Sequence, residues 1–302
     1  MSERYRVEVD PAAANSAHAA MIRMVGHGRR VLEIGCSVGH VTEHLVANGN
    51  TVIGIEIDPD AAEQARRFAT EVHVADIDRT QLGELVDGPF DVIVFGDVLE
   101  HLRDPSAALD AACSLLTPDG HLVVSIPNAA HADMRLMLLE GRWEYQDRGL
   151  LDSTHLRFFT RTSIRDLLAR SGLVATEVER IVNPMFATNL PVSADLYGDA
   201  VRDFVLTDPE ATTFQYVLVA ARSGDDSGHD ALTGDEPDYQ PFGVDESRLV
   251  RTVDELRVMV DERDTHIAAL ETELAAWRNS TLARASRPLR AAWAPIRRRL
   301  RR

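Results

Sequence analysis

The sequence predicts an α/β protein, a doubly wound, seven-stranded, mostly parallel sheet followed by a helical appendage. Three observations predict it. Apolar strand-like runs alternate with helix-like stretches through residue 223. The first run, Val31-Leu32-Glu33-Ile34, breaks into the turn Gly35-Cys36-Ser37-Val38-Gly39, which leads into a helix. The second, Thr51-Val52-Ile53-Gly54-Ile55, ends in the carboxylate of Glu56. Glycines let a backbone approach a ligand, and an acid at the neighbouring strand tip can hold two ribose hydroxyls. That pairing implies a nucleoside-containing ligand.

The elements follow in order. Strands are predicted over 30–34, 51–57, 71–75, 90–95, 120–125, 174–181 and 214–221. Asp58-Pro59 and Asp104-Pro105 each offer an acid that caps a helix and a proline at its first position. Thr160 or Thr162 can cap the helix through Ile164, Leu167 and Leu168. Pro118-Asp119-Gly120 marks the turn into the fifth strand.

At 302 residues with 45% hydrophobic content, the chain has room for one large α/β domain (1–223) and an appendage. No apolar run approaches the ~20 residues that span a bilayer. The first residues, Met1-Ser2-Glu3-Arg4-Tyr5-Arg6, lack an apolar signal core, so a cytoplasmic location is expected. The two cysteines, Cys36 and Cys113, fit a reducing compartment and have no metal-site spacing. A net charge of -16 argues against general nucleic-acid binding.

The charge is unevenly distributed. Residues 224–246 are acidic and read as a flexible linker. Within 247–278, Leu249, Val253, Leu256, Val260, Ile267, Leu270, Leu274 and Trp277 recur at heptad spacing, broken by Arg263. This predicts a coiled coil with potential for a homodimer, or an amphipathic helix lying on the main domain. The segment 279–302 sets Leu289, Trp293, Ile296 and Leu300 among arginines. Such a basic amphipathic tail could touch an anionic membrane at its inner face or dock a protein partner.

The turn at 33–39 spaces its glycines G-x-x-x-G, unlike the G-x-G-x-x-G of dinucleotide-binding proteins. It resembles motif I of class I S-adenosylmethionine-dependent methyltransferases. Further stretches resemble that family in the same order. They are Gly54-Ile55-Glu56-Ile57-Asp58, Ala75-Asp76-Ile77, Phe90-Asp91-Val92-Ile93-Val94 with Asp97-Val98-Leu99-Glu100-His101-Leu102, and Leu116-Thr117-Pro118-Asp119-Gly120. Ser37 stands where the family commonly has a central glycine. The resemblance implies a Rossmann-like methyltransferase domain with S-adenosylmethionine as cofactor. Gly35, Cys36 and Gly39 would form the turn around its methionine part, and Glu33 would hold the ammonium. Glu56 would accept from the ribose hydroxyls and Asp76 from the adenine amino group. Ile57 and Ile77 would pack on the adenine ring, with Asp97 and Val98 beside the cofactor.

A methyl on a sulfonium is already activated, so the protein must align an acceptor and remove its proton. Two histidines are candidates for the base. His155 lies in Ser153-Thr154-His155-Leu156-Arg157, after a polar-aromatic insert that contains Trp143 and Tyr145, and His101 follows the fourth strand. His155 is preferred, and His131 is a weaker third. The same insert, with Ile126-Pro127-Asn128 and the Ser286-Arg287-Pro288-Leu289-Arg290 ending, resembles bacterial methyltransferases that accompany glycosyltransferases in surface-glycan pathways. That resemblance implies O-methylation of a sugar hydroxyl, with glycosyltransferases as possible partners of the tail. Asp97-Val98-Leu99-Glu100-His101 also resembles the Glu-x-x-Glu-His element of ubiquinone-pathway O-methyltransferases. It implies an alternative, a quinone or other small-molecule acceptor, and has spacing that could bind a divalent ion. The preferred reading of that element is a helix-start acid and a packing histidine, with no metal. A third reading is a methyltransferase-like assembly subunit that recruits glycosyltransferases.

Overall fold

The structure is a computed structural model that describes residues 9–224, 230–233, 260, 263, 265, 267–272 and 276. The chain divides into two compact units, 1–237 and 238–302. In the first unit the strands are β1 (Arg30–Ile34), β2 (Thr51–Glu56), β3 (Glu71–Val74), β4 (Phe90–Gly96), β5 (Leu116–Pro127), β6 (Leu173–Val182) and β7 (Thr213–Arg222). They form one sheet in the order β3-β2-β1-β4-β5-β7-β6. The pairs from β3 to β5 are parallel, and β7 runs antiparallel to both β5 and β6.

The helices are α1 (Ala17–Val25), α2 (His40–Ala47), α3 (Pro59–Ala65), α4 (Leu82–Leu85), α5 (Pro105–Leu115), α6 (Ala132–Leu139), α7 (Arg161–Arg170) and α8 (Asp199–Leu206). Side chains alternate across a strand, and the sheet uses both faces. Leu32, Ile34, Ile93 and Phe95 meet Leu109 of α5 and Ile164 and Leu167 of α7. Val31, Val92 and Val94 meet Met21 and Ile22 of α1 and Leu45 of α2. Strands buried on both faces read as unbroken apolar runs, which is why they are visible in the sequence. Each such side chain, fully buried, contributes about 1.5–3 kcal/mol.

The predicted caps form. Asp58 accepts from Asp60 N and Ala61 N, and Asp104 accepts from Ala107 N. Thr160, not Thr162, caps α7 in a reciprocal box with Ser163. The structure also corrects several boundaries. β5 already pairs at Leu116, ahead of the predicted turn, because Phe90 meets Leu116 across a bulge. Four helices, α1, α4, α6 and α8, were not predicted. The segment 230–233, predicted as flexible linker, is anchored to the domain. Ala231 N donates to Ala175 O at 2.8 Å, and Leu232 is 1% exposed within the core. One apolar residue overrides the acidic composition around it.

In the second unit Val260, Arg263, Ile267 and Leu270 are helical and exposed. The other heptad positions and the basic tail at 279–302 lie outside the described residues. Among the described residues, no helix is long and apolar enough to cross a membrane.

The strand order reverses between β1 and β4. Ligands of open α/β sheets bind at such a switch point, beyond the carboxyl ends of the strands.

Candidate active site

The turn after β1 is shaped by backbone geometry. Gly35 and Gly39 have φ of +74° and +87°. A Cβ on Gly35 would stand 2.6 Å from Val98 Cγ2, and one on Gly39 would stand 2.9 Å from Ala65 Cα. Gly39→Ala should therefore lower unfolding free energy by about 2–4 kcal/mol, combining left-handed strain with overpacking. Chemical unfolding would read this directly, and an unchanged midpoint would refute it. Ser37 and Asp97 also have positive φ, +49° and +56°. Non-glycine residues held there cluster at functional sites, and these two flank the switch point.

Glu56, 8% exposed at the tip of β2, ties the turn together. Its Oε2 accepts from Ser37 N at 2.8 Å and its Oε1 from Asp58 N at 2.9 Å. A carboxylate has about four acceptor positions, so two remain for a ribose diol. Glu33 is 4% exposed and accepts from Thr42 Oγ1 at 2.6 Å. Burial raises its pKa to about 7, against the lowering effect of the Thr42 hydrogen bond. A cationic ligand group favours the ionised form, so cofactor affinity should rise as pH climbs through about 7. Calorimetry across pH 6–8 checks this, and Glu33→Gln should flatten the dependence.

The remaining predicted cofactor residues divide. Val98 lies against Gly35. Ile57 is 64% exposed, an apolar side chain free to cover a ring, whereas Ile77 packs against the core. Asp76 accepts from Asp78 N at 3.0 Å and pairs with Arg79 at 3.1 Å. The Cys36 side chain is a correction. It is buried with Ala62, Ala65 and Val72, and its Sγ lies 2.7 Å from where a Gly54 Cβ would be. Burial raises the thiol pKa further. Only the Cys36 backbone is left to face a cofactor.

Sequence reasoning missed what holds Asp97. Its Oδ1 accepts from Ser125 Oγ at 3.0 Å and from Gln215 Nε2. The available signal was Gln215, a polar residue inside the apolar run of β7. It also missed His18 and His40, whose rings meet edge-on with centroids 4.9 Å apart. Burial lowers the pKa of His18, and the charge of Asp97 opposes that shift. His40 follows Gly39 directly, but nothing local marks His18.

On the acceptor side, the residues 99–101 form a single 3₁₀ turn after β4. The later segment docks on it through backbone. Leu156 N and Arg157 N both donate to Glu100 O, at 2.8 and 3.0 Å. This brings together His101 and His155, with ring centroids 4.8 Å apart and planes at 76°. His101 Nδ1 lies 3.2 Å from Thr154 O. A carbonyl only accepts, so Nδ1 carries the proton and Nε2 is left as the acceptor. Burial and the neighbouring His101 push the His155 pKa down to about 4, so at neutral pH it is uncharged. Glu100 is 1% exposed, and burial, with Asp97 nearby, raises its pKa well above the carboxylate range. Asp152, the neighbour predicted for His155, accepts from Thr154 N and Oγ1. Arg157 donates to Arg103 O.

His131 is spent structurally. It is fully buried and caps α6, with Nδ1 accepting from Asp133 N and Nε2 at 2.9 Å from Asn183 O. Trp143 is 39% exposed and meets Phe158 and Tyr145 edge-on, at 5.0 and 6.4 Å. It is a surface aromatic cluster rather than core.

One donor atom each from Glu100, His101 and His155 lies within 4.8 Å of the others. Glu100 Oε2 and His155 Nδ1 are buried without a hydrogen-bond partner. Buried orphan acceptors are costly unless something fills the space between them. Their donor atoms would suit a divalent cation, and His155 completes a set that sequence separation hid.

Comparison with known proteins identifies the family. The family described as a methyltransferase domain matches residues 10–178, more than half of the chain. The ubiquinone biosynthesis O-methyltransferase of Bradyrhizobium diazoefficiens is 31% identical over 173 residues, covering 56% of this chain and 68% of that protein. The Xylella fastidiosa protein of the same name is 36% identical over 132 residues, covering 42% of this chain and 53% of that protein. This chain thus spans about half the length of the second relative. A solved S-adenosylmethionine-dependent methyltransferase from Archaeoglobus fulgidus aligns with TM-score 0.48 at 20% identity, over 67% of this chain and 91% of that one. With its glycine turn, the acid of β2 and the family model matched over residues 10–178, the chain belongs to the class I S-adenosylmethionine-dependent methyltransferases.

Proposed function

We propose that this enzyme transfers the cofactor methyl to a hydroxyl on a quinone- or catechol-type ring. The observation that carries the reading is the Glu100–His101–His155 cluster beside Asp97, where the acceptor proton has to leave. The names of the two relatives support an oxygen acceptor of this class. They share nothing with the sugar-hydroxyl reading, so the quinone alternative takes its place.

An acceptor hydroxyl in line with the sulfonium must lose its proton as the new C–O bond forms. His101 offers Nε2 for that proton, because Thr154 O fixes the proton of its other nitrogen. His155 is a weak base. With a pKa of about 4 it binds a proton poorly at neutral pH, where a general base works best near 7. This reverses the preference drawn from sequence. A divalent cation held by Glu100, His101 and His155 would occupy that same Nε2 of His101, so it is the alternative to this base and would instead supply Lewis acidity toward the hydroxyl oxygen. Trp143 and Tyr145 offer aromatic surface for a planar ring.

The test is a methyl-transfer assay with labelled cofactor on two acceptor panels, hydroxyquinones with catechols, and free sugars with glycolipids. Turnover confined to the first panel is expected. Turnover confined to the second would return the enzyme to the sugar reading.

A further inference from the structure

Three carboxylates stand near the carboxyl ends of adjacent strands, Glu56 on β2, Glu33 on β1 and Asp97 directly after β4. Glu56 suits the ribose diol and Glu33 the ammonium, which leaves Asp97 without a cofactor group. Yet its carboxylate is held with care. Asp97 is an exposed residue at φ +56°. Its Oδ1 accepts from Ser125 Oγ on β5, at 3.0 Å, and from Gln215 Nε2 on β7. Gln215 Nε2 also donates to Ser125 Oγ. Both donors are buried, so two polar side chains inside the sheet converge on one oxygen. Buried polar groups need such a shared partner, and here that partner is fixed by them in return. Among the described residues, Asp97 Oδ2 accepts no hydrogen bond.

The surroundings leave that charge uncancelled. Met21 of α1 lies over the end of β4, its Sδ 3.2 Å from where a Gly96 Cβ would stand. His18 is one turn earlier on the same helix. Burial lowers the His18 pKa, against the charge of Asp97, so at neutral pH this imidazole is uncharged. On the far side stands His101, the other imidazole that acts on Asp97. Val98 lies against Gly35, so Asp97 sits between the glycine turn and the acceptor-side histidine. The methyl has to pass from that turn toward the acceptor, across Asp97.

We propose that Asp97, set in place by Ser125 and Gln215, is the counter-charge of the cofactor's sulfonium, and that it lets the protein favour S-adenosylmethionine over S-adenosylhomocysteine. An opposite charge within about 4–6 Å favours the charged form of a group by roughly one to three decades. The two ligands differ in one methyl and in the charge on sulfur. Glu33 and Glu56 face parts that both ligands share, so neither can tell them apart. Asp97 is therefore a specificity-determining residue, and Ser125 and Gln215 are positioning residues that act through it. The inference rests on the methyl facing the proposed acceptor side, but its test needs no acceptor.

The experiment is calorimetry of the full chain with S-adenosylmethionine, S-adenosylhomocysteine and sinefungin, an analogue with a protonated amine in place of the sulfonium methyl. Asp97→Asn keeps an oxygen for Ser125 and Gln215, and asparagine tolerates a positive φ, so the fold should hold. It should weaken the two cationic ligands by about tenfold or more and leave the thioether within about twofold. Gln215→Leu should shift the same ratio in the same direction by a smaller factor. A merely structural role for Gln215 would weaken all three ligands alike. Equal weakening of all three by Asp97→Asn would assign Asp97 to the amino-acid part and overturn the proposal. Unchanged affinities would also overturn it, as would a loss confined to S-adenosylmethionine with sinefungin unaffected, which marks packing on the methyl. Turnover confined to sugars would reject the acceptor reading and leave this ratio unmoved.

Discussion

Replacing Glu56 with alanine should weaken cofactor binding by roughly a hundredfold or more. The carboxylate would accept both ribose hydroxyls, and hydrogen bonds to a charged group contribute about 1.5–3 kcal/mol each. Two of them lost correspond to at least about 3 kcal/mol, or two decades in Kd. The effect is enlarged by what Glu56 does for the protein itself. Its oxygens satisfy Ser37 N and Asp58 N, so alanine also releases the turn that shapes the pocket. Glu56→Gln separates these roles. It keeps an acceptor for one backbone donor and loses the charge, so the fold should hold while affinity still falls. Calorimetry with S-adenosylhomocysteine measures both variants, and a Kd within threefold of the parent protein would remove Glu56 from the site.

His101→Ala should lower kcat by about 10²–10⁴, the usual contribution of a positioned general base, with cofactor affinity held within threefold. The side chain borders the acceptor and not the glycine turn, so the loss should be confined to chemistry. Added imidazole should restore part of the rate if His101 carries the proton. His155→Ala should also slow turnover, through lost support of the His101 ring rather than a lost base, and imidazole should not rescue it. Turnover of His101→Ala within a few-fold of the parent would reject this assignment.

The sheet was legible because its strands are buried on both faces. Runs such as Val92-Ile93-Val94-Phe95 have no polar interruption to confuse their reading. The cofactor side was legible because its residues are local to strand ends, with Glu33, Gly35, Gly39 and Glu56 all within two consecutive strand–turn units. Elements whose stability comes from distant partners were not. α6 and the loop after β6 are held by Asp133, which accepts from Phe186 N and from Thr188, more than fifty residues away. Gln215 and Ser125 reach Asp97 only once β5 and β7 pair. The acceptor cluster was half legible. Both histidines were candidates, but their meeting depends on the Glu100 carbonyl catching the backbone at Leu156 and Arg157. Composition marks an acidic stretch well and marks a single anchoring residue poorly, as Leu232 shows.

The central claim is that an oxygen on a quinone- or catechol-type ring receives the methyl. The direct measurement is carbon NMR of the product formed from ¹³C-methyl cofactor and a hydroxyquinone or catechol acceptor. A labelled methyl at the chemical shift of an aryl or vinyl ether is the predicted result. Label on carbon or nitrogen, or no product while a sugar acceptor becomes labelled, would contradict it.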